Sequence, residues 1–211
     1  MRLRTLLSPF APALCAACGR AAGASEPLCP RCRRELRWLA GEPGVVGGVT
    51  LHSAVAYEGA ARALVRSLKY RGALGAADAM AAQMAASLPP GLLRGAVLVP
   101  VPVPAGRRRR RGFNQAERLA ACLAARTGGR VLDCLERIGA AGPQVGRDRE
   151  ERLRELRGAV RIRPGAATPR RAVVIDDVVT TGATLGACAA ALRCAGASRV
   201  EAVSYARTLG R

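Results

Sequence analysis

The sequence predicts an α/β fold in which a mostly parallel sheet carries helices on both faces, preceded by a small cysteine-rich region. Strand-like and helix-like segments alternate from Val49 onward, which is the order expected for parallel strands joined by helices. Two short apolar runs, Ala96–Val99 and Arg170–Asp177, are typical of buried parallel strands. Four of the eight cysteines lie within residues 15–32 and set the first part of the chain apart.

The length and the breaker residues indicate how the chain is divided. A chain of 211 residues is long enough for one α/β domain and a small additional region. Half of the residues are hydrophobic and only 3% are aromatic, so Ala, Val and Leu must fill the core. Because Gly41-Glu42-Pro43-Gly44 breaks regular structure, we expect a cysteine-containing region over residues 1–43 and the α/β domain over residues 44–211.

The helices and strands of the first half are predicted from the spacing of apolar residues and from the glycines and prolines that end each segment. Apolar residues alternate along a strand and recur at helical spacing along a helix, and proline or glycine ends each segment. The predicted elements are a short helix over Leu3–Phe10, a helical turn over Glu35–Ala40, a strand over Val49–Tyr57, a helix over Ala60–Tyr70 ended by Arg71-Gly72, a helix over Ala76–Leu88 ended by Pro89-Pro90, and a strand over Ala96–Val99 ended by the prolines of residues 100–104.

The second half continues the alternation. Asn114 has the side chain of a helix N-cap, and the segment after it places apolar residues on one helical face. The predicted elements are the helix capped by Asn114, with Ala116, Leu119, Ala120 and Leu123 on its apolar face, a strand over Val131–Leu135, a loop over Gly139–Gly146, a charged helix over Asp148–Arg157, a strand over Ala159–Ile162, the buried strand Arg170–Asp177, a helix over Gly182–Ala195 and a last strand over Arg199–Tyr205.

The formal net charge is +19. Such a balance favours polyanionic partners: nucleic acid, nucleotides, pyrophosphate or an anionic surface. Alternatively, the charge reflects a composition bias and not a partner, since the chain is rich in Ala, Arg and Gly together and Lys69 is its only lysine.

No apolar stretch approaches the length of a membrane span. Pro9 and Pro12 interrupt the first apolar run, which argues against a secretory signal, so we expect a cytoplasmic protein.

Cys15-x2-Cys18 and Cys29-x2-Cys32 form a paired knuckle. Four thiolates complete the tetrahedral coordination of a structural zinc ion, and such a closed site acts in folding rather than in catalysis. Two disulfides or redox thiols are the alternatives, but doubled C-x2-C pairs in an intracellular chain favour a zinc ribbon. The remaining cysteines are interpreted as small core residues: Cys122, Cys134, Cys188 and Cys194.

The segment Val173–Thr184 combines the parts of a phosphate-binding loop. A branched apolar strand delivers Asp176 and Asp177 to its carboxyl end, where open α/β sheets bind ligands. Hydroxylated residues and Gly182 then lead into a helix whose first N–H groups favour a phosphate. The Gly-Lys-Ser/Thr of a P-loop is absent, and the acids suit ribose hydroxyls or a metal ion. The alternative is a strand, turn and helix that these side chains only cap.

Val173–Thr184 resembles the signature with which type I phosphoribosyltransferases bind 5-phosphoribosyl pyrophosphate (PRPP). The resemblance implies that Asp176 and Asp177 hold the ribose hydroxyls, that the loop holds the 5-phosphate, and that Mg²⁺ accompanies PRPP. It assigns to the loop the binding residues Thr180, Thr181, Gly182, Ala183 and Thr184.

A zinc knuckle followed by such a domain is the arrangement of the ComF family of competence-associated proteins. Leu98–Pro104 with Arg107–Gln115 resembles that family's PVP…R-x-RGFNQ segment, and Leu64–Gly72 resembles its LK-Y-x-G segment. A third segment is similar around Gln144 and Arg152, although Glu155 and Val160 depart from the Asn and Phe of the family pattern.

Basic residues in these segments are candidate ligands of PRPP. Guanidinium groups pair bidentately with phosphate oxygens, so Arg111 is predicted to contact the pyrophosphate. The alternative for Arg107–Arg111 is a solvated basic loop that contacts nucleic acid or nothing. Lys69 is a further candidate ligand, with a surface role as the alternative. His52 is interpreted as structural.

Two functions follow from the resemblance. The first is pentosyl transfer from PRPP with release of pyrophosphate, in which Asp176, Asp177 and Arg111 are the catalytic residues. The second is a non-catalytic, PRPP-dependent, zinc-containing module that binds single-stranded DNA during DNA uptake. The basic charge agrees with the second function, whereas the scarcity of aromatic residues disagrees with it.

Overall fold

The structure is a computed structural model that describes residues 14–23, 27–71, 74–138 and 159–210, except the side chains of Arg71 and Leu74. The helices are α1 (Pro30–Arg34), α2 (Gly59–Arg71), α3 (Leu74–Ser87), α4 (Ala105–Arg111), α5 (Gln115–Thr127) and α6 (Ala183–Cys194). The strands are β1 (Gly44–Val46), β2 (Val49–Ala56), β3 (Val97–Pro100), β4 (Arg130–Val131), β5 (Leu135–Arg137), β6 (Val160–Ile162), β7 (Arg171–Val179) and β8 (Arg199–Arg207).

Six of the strands form one sheet in the order β1-β2-β8-β7-β3-β4. All neighbours in this sheet run parallel except β1 and β2, which form an antiparallel pair at one edge. The strands β5 and β6 form a separate antiparallel pair. The predicted α/β class with a mostly parallel sheet is therefore confirmed.

Helices cover both faces of the sheet, as β7 shows most clearly. Val173 and Ile175 pack in a cluster with residues of α2, α3 and α5. Ala172 and Val174 point to the other face and pack with residues of α6. Successive side chains of a strand alternate between faces, and a central strand covered on both faces must be apolar throughout. This is why Ala172–Ile175 reads as an uninterrupted apolar run.

Most predicted elements are present. Along the described chain, α2, α3, α6, β2, β3, β6, β7 and β8 begin and end within two residues of the predicted bounds, and α5 begins directly after its predicted cap. Asn114 caps α5 as expected, because its Oδ1 accepts a hydrogen bond from Ala116 N at 2.9 Å. The predictions for Leu3–Phe10, Gly139–Gly146 and Asp148–Arg157, with Gln144, Arg152 and Glu155, lie outside the described residues.

Two predicted elements differ from the structure. The segment after α1 is extended rather than helical: Trp38 forms a bridge with Val55, and Leu39 N donates to Ala54 O at 2.9 Å. The segment is extended because the exposed edge of β2 supplies hydrogen-bond partners for its backbone groups. These bonds replace the ones that a helical turn would have made. The predicted strand over Val131–Leu135 is divided between β4 and β5, which belong to different sheets.

The edge strand β1, which the sequence did not predict, brings a glycine turn against the start of α6. Gly47 and Gly48 join β1 to β2 with φ of 56° and 74°, values that favour glycine in a two-residue hairpin turn. A Cβ on Gly47 would lie 2.7 Å from Gly186 Cα, and one on Gly186 would lie 3.0 Å from Gly47 O. The hairpin therefore fixes the first turns of α6 by backbone-to-backbone packing.

We expect Gly186→Ala to destabilise the protein by about 1–3 kcal/mol, because its methyl group overpacks this contact. Gly75→Ala is the matched control, since Gly75 also lies in a helix but its Cβ would meet nothing within 4 Å. That control should stabilise the protein by about 0.5–1 kcal/mol through the unfolded chain. Urea denaturation measures both changes. Equal effects of the two substitutions would contradict the proposed packing constraint.

The cysteine-rich segment packs onto the α/β domain rather than apart from it. Cys15, Leu28, Cys29 and Leu36 belong to the same hydrophobic cluster as the buried residues of α2 and α3. No helix among the described residues is long and apolar enough to cross a membrane.

Candidate functional site

The connections that leave β3 and β7 run in opposite directions. β3 continues through α4 and α5 to β4 on one side, whereas β7 continues through α6 to β8 on the other. The two connecting helices α5 and α6 also pack mainly on opposite faces of the sheet. Open α/β sheets bind ligands outside the carboxyl ends of two such strands, at the switch point of the topology. The segments after β3 and β7 are therefore the first candidates for a functional site.

The loop between β7 and α6 presents hydroxyl groups and a helix start at this switch point. Thr180 and Thr181 are exposed, Ala183 and Thr184 are partly exposed, and α6 begins at Ala183. Ala183 N has a long 3.4 Å contact with Thr181 Oγ1. The first N–H groups of an α-helix have no partner within the helix. The loop can thus offer backbone and hydroxyl donors to an anion.

Gly182, which leads into α6, packs against the edge strand β1. It is the N-cap of α6 with φ of 73°, a conformation that glycine adopts without strain. A Cβ at this position would lie 2.4 Å from Val46 Cβ. The missing side chain therefore admits the edge strand β1, and this is a sufficient reason for glycine here besides any approach of a phosphate.

The two adjacent acids lie on opposite faces of the sheet. Asp177 follows Val173 and Ile175 on the face of α2, whereas Asp176 follows Ala172 and Val174 on the face of α6. The sequence suggested that the strand ends at Asp177, but β7 continues to Val179. Because side chains alternate along a strand, the extra length separates the two carboxylates.

Asp177 forms an ion pair with the only lysine of the chain. Lys69 Nζ lies 2.6 Å from Asp177 Oδ2, and the two side chains are 19% and 3% exposed. No hydrogen bond reaches Asp177 Oδ2 from the other described residues. A buried carboxylate needs such a counter-charge. Lys69 is thus placed at the candidate site, where it neutralises one of the two acids.

The protein raises the pKa of Asp176 well above its ordinary value. Burial is the main cause, and the charge of Asp177 adds to it. The hydrogen bond from Asp177 N to Asp176 Oδ1, at 2.8 Å, and the charge of Lys69 act in the opposite direction. Burial and a nearby like charge both disfavour a carboxylate. Asp176 and Asp177 therefore present less negative charge to a ligand than two ionised carboxylates would.

Asp176→Asn is expected to stabilise the protein increasingly as the pH rises above about 4, the ordinary value for this acid. A raised pKa means that the folded state holds the Asp176 proton more tightly than the unfolded state. The wild type therefore loses stability as the pH rises through the folded pKa, and the neutral amide escapes this loss. Thermal denaturation from pH 4 to pH 8 measures the difference.

Asp78→Asn is the matched control for that pH series. Asp78 is an exposed acid that pairs with Arg126 at 2.6 Å on the surface, and exposed pairs contribute little. Its substitution should change the pH profile only slightly. A lower melting temperature of Asp176→Asn than of wild type at pH 8 would contradict the raised pKa.

The arginine run after β3 is a short helix, α4, rather than the loop considered from the sequence. None of its residues is buried. Arg108 pairs with Glu117 at 2.7 Å, and Arg111 Nη1 donates to Gln115 Oε1 at 2.9 Å. The Arg111 guanidinium also lies over the ring of Tyr70, 5.4 Å from its centroid. Among the described residues, no hydrogen bond or ion pair joins Arg111 to the loop after β7.

Tyr70 and Gln115 belong to the segments that resemble the family pattern, but the sequence analysis assigned no role to either side chain. Tyr70 follows Lys69 directly, and its ring is exposed. A tyrosine at the end of an amphipathic helix carries no signal by itself, because its partner, Arg111, is distant in the chain. Gln115 is buried at the first position of α5, directly after the Asn114 cap.

The four knuckle cysteines converge on one point. The sulfur atoms of Cys15, Cys18, Cys29 and Cys32 all lie within 4.8 Å of one another. Cys18 Sγ and Cys29 Sγ are 3.7 Å apart, close to the ~3.8 Å between two sulfurs of a tetrahedral zinc site with Zn–S bonds of ~2.3 Å. The cluster can therefore hold a metal ion such as zinc.

The protein lowers the pKa of one of these thiols, that of Cys15. Burial alone raises the pKa of Cys15, but hydrogen bonds from the backbone of Cys29, Cys18 and Ala17 outweigh it and lower the pKa to about 6. Burial and hydrogen bonds with the other cysteines raise the pKa of Cys32. A metal ion deprotonates such ligands when it binds, and the backbone donors then stabilise the thiolates.

The four scattered cysteines do not all lie in the core. Cys134 and Cys188 are fully buried, as predicted, and Cys122 is partly buried. Cys194 is exposed at the last position of α6, so its interpretation as a core residue is wrong. Helical periodicity near a helix end is a weak guide to burial, because the last turn often extends beyond the surface it covers.

No protein-family model matches this chain, and a search of curated proteins found no match either. The fold and the sites therefore define the class of protein by geometry alone. It is a mixed α/β protein with a mostly parallel sheet, a polar loop at the switch point of that sheet, and a four-cysteine cluster with the spacing of a metal site.

Proposed function

We propose that the chain binds PRPP at the loop Asp176–Thr184 and is a phosphoribosyltransferase-like protein of the ComF type. The observation that carries the proposal is the position of this loop. It follows a central parallel strand at the switch point beside β3, and it leads into the start of α6. A sugar phosphate fits such a place, because helix N–H groups bind the phosphate and carboxylates accept hydrogen bonds from hydroxyls.

The charge balance of the loop supports an anionic ligand. Lys69 neutralises Asp177, and the raised pKa of Asp176 favours its neutral form. Two free carboxylates would repel PRPP, whereas this arrangement does so much less. Mg²⁺ would supply further positive charge to the pyrophosphate, with Asp176 and the loop hydroxyls as the available oxygen donors.

The proposed reaction is pentosyl transfer. The bond between C1 of the ribose and the pyrophosphate oxygen breaks, pyrophosphate leaves with the electron pair, and an acceptor lone pair forms the new bond at C1. The acceptor then loses a proton. Asp176 would hydrogen-bond to the ribose hydroxyls, whereas Asp177, which is buried in its ion pair with Lys69 on the other face of the sheet, would act on the site through Lys69. Arg111 would stabilise the departing pyrophosphate through bidentate hydrogen bonds.

Calorimetric titration with PRPP and MgCl₂ tests the binding step. We expect binding by the wild type, and at least tenfold weaker binding when Asp176→Ala and Asp177→Ala are combined. Asp78→Asn, at an exposed acid on α3, should bind as the wild type does. A wild type that does not bind PRPP, or a folded double variant with unchanged affinity, would remove the proposal.

Single-stranded DNA binding is a second candidate, and α4 favours it. Arg107, Arg109 and Arg110 are exposed and have no side-chain partner among the described residues. Unpaired arginines on one short helix can release counterions from a phosphate backbone. The chain charge of +19 adds long-range attraction.

Replacing Arg107, Arg109 and Arg110 together by Ala should weaken oligonucleotide binding and flatten its salt dependence. Each lost phosphate contact reduces the logarithmic salt slope by about 0.7 for a single strand. The control replaces Arg126, Arg161 and Arg199, which form ion pairs elsewhere on the surface. It removes the same charge. Equal losses in both variants, measured by filter binding, would show a charge effect without a site on α4.

A further inference from the structure

One member of the cysteine cluster differs from the other three in its exposure. Cys15, Cys29 and Cys32 are 2%, 5% and 4% exposed, whereas Cys18 is exposed to solvent. The oxidation of a cysteine depends on its thiolate character and on its exposure. A cysteine that holds a metal ion is a thiolate. Cys18 is therefore the sulfur of this cluster that a dissolved oxidant reaches first.

A second sulfur lies beside Cys18. Cys29 Sγ is 3.7 Å from Cys18 Sγ, and the two sulfurs of a disulfide are ~2.05 Å apart, so an approach of about 1.7 Å would join them. The two residues belong to different C-x2-C pairs. A bond between them takes one ligand from each pair, and the two sulfurs that remain cannot complete a four-sulfur site.

The cluster is connected to the candidate ligand loop through the core. Its three buried cysteines pack in the same hydrophobic cluster as Leu64 and Leu68 of α2. Lys69, the next residue of α2, pairs with Asp177 at 2.6 Å. The packing of the cysteine-rich segment thus supports the helix that brings Lys69 to the loop.

We propose that Cys18 is an oxidation site, and that its disulfide with Cys29 releases the metal ion and weakens ligand binding at the loop Asp176–Thr184. The oxidant is a hydroperoxide, with hydrogen peroxide as the simplest case. The oxidation and the release of metal depend on the cysteine geometry alone. Only the effect on PRPP rests on the proposed function.

The reaction has two steps. The Cys18 thiolate attacks one oxygen of hydrogen peroxide, the O–O bond breaks, and hydroxide leaves, so that Cys18 becomes a sulfenic acid. The Cys29 thiolate then attacks Cys18 Sγ, the S–O bond breaks, and a second hydroxide leaves. The two sulfurs give up two electrons, which reduce the peroxide. Cys15 and Cys32 take up protons when the metal dissociates.

The test treats the zinc-loaded full chain with hydrogen peroxide. A chromophoric chelator measures the released zinc. Free thiols are then alkylated and the chain is digested with trypsin, which separates Cys29 from Cys32 by cleavage after Arg31. We expect release of the zinc together with a disulfide between the peptides of residues 5–20 and 21–31. Dithiothreitol with added zinc should reverse both changes.

Cys18→His separates the oxidation site from the metal site. Three cysteines and one histidine also bind zinc, but the variant lacks the exposed thiol, so we expect it to keep its zinc at a peroxide dose that removes the metal from wild type. Cys194→Ser is the control, because it removes an exposed thiol outside the cluster. It should release zinc as wild type does. If Cys18→His does not bind zinc, the peptide map of wild type decides the question.

Calorimetric titration with PRPP and MgCl₂ measures the effect on the loop. We expect the affinity of oxidised wild type to fall about fivefold or more, the lower end of typical coupling between sites. Retention of zinc under peroxide, absence of the Cys18–Cys29 disulfide, or release from zinc-loaded Cys18→His at the wild-type rate would each overturn the inference. Unchanged PRPP affinity after oxidation would remove its link to the loop.

The two proposals fail separately. A wild type that forms the Cys18–Cys29 disulfide and releases zinc, but binds no PRPP in either state, would support the oxidation site and remove the phosphoribosyl function.

Discussion

Lys69→Met is expected to destabilise the protein by about 3 kcal/mol, the lower end of the range for breaking a buried ion pair. The substitution keeps most of the apolar stem but leaves the Asp177 carboxylate, which is 3% exposed, without its counter-charge. The lower end applies because Lys69 retains some contact with solvent. Urea denaturation at neutral pH measures the change in the free energy of unfolding.

The double variant Lys69→Met with Asp177→Asn separates a charge effect from a packing effect. It removes both charges and keeps the shapes of the side chains. Replacing both partners of a buried ion pair often changes the stability very little. We therefore expect the double variant to recover most of the stability that Lys69→Met loses. A double variant as unstable as Lys69→Met would mean that Lys69 acts through its packing alone. In that case the charge balance proposed for the loop Asp176–Thr184 would lose its main support.

Cys29→Ser is expected to abolish metal binding and to open the cysteine-rich segment. The wild type should carry about one zinc ion per chain, since its four sulfurs lie within 4.8 Å and a closed tetrahedral site holds one ion. Apparent zinc-binding free energies of about 10 kcal/mol or more couple directly to folding in small metal-bound segments. Elemental analysis measures the metal, and the rate of tryptic cleavage after Arg20 and Arg31 measures the opening.

Cys194→Ser makes the same chemical change at an exposed cysteine outside the cluster. It should leave both the zinc content and the cleavage rate as in wild type. A chelator added to the wild type should reproduce the effect of Cys29→Ser. A wild type without stoichiometric metal, and with a cleavage rate insensitive to chelation, would contradict a structural metal site.

The two predictions test different parts of the molecule. The cysteine cluster packs into the core shared with α2 and α3, and α2 carries Lys69 to Asp177 at its end. We therefore expect loss of the metal to destabilise the loop Asp176–Thr184 through α2. Titration of Cys29→Ser with PRPP would measure this coupling.

The sequence by itself determined the fold class, the order of most elements and the convergence of the cysteines. These features depend on local signals: apolar runs for Ala172–Ile175, helical spacing in α2 and α5, and short C-x2-C spacings that bring two sulfurs together. The capping of α5 by Asn114 is equally local, since the residue and the N–H group it accepts from are two positions apart.

Only the tertiary structure decided how the site is arranged. β7 continues past Asp177 to Val179 because Val178 and Val179 pair with Ala206 and Arg207 of β8, and this pairing sends the two acids to opposite faces. The same long-range packing brings Lys69 to Asp177, Tyr70 to Arg111 and Val46 to Gly182. Each of these pairs joins segments distant in the chain, so no local pattern could specify it; the register of the sheet and the packing of its edges do.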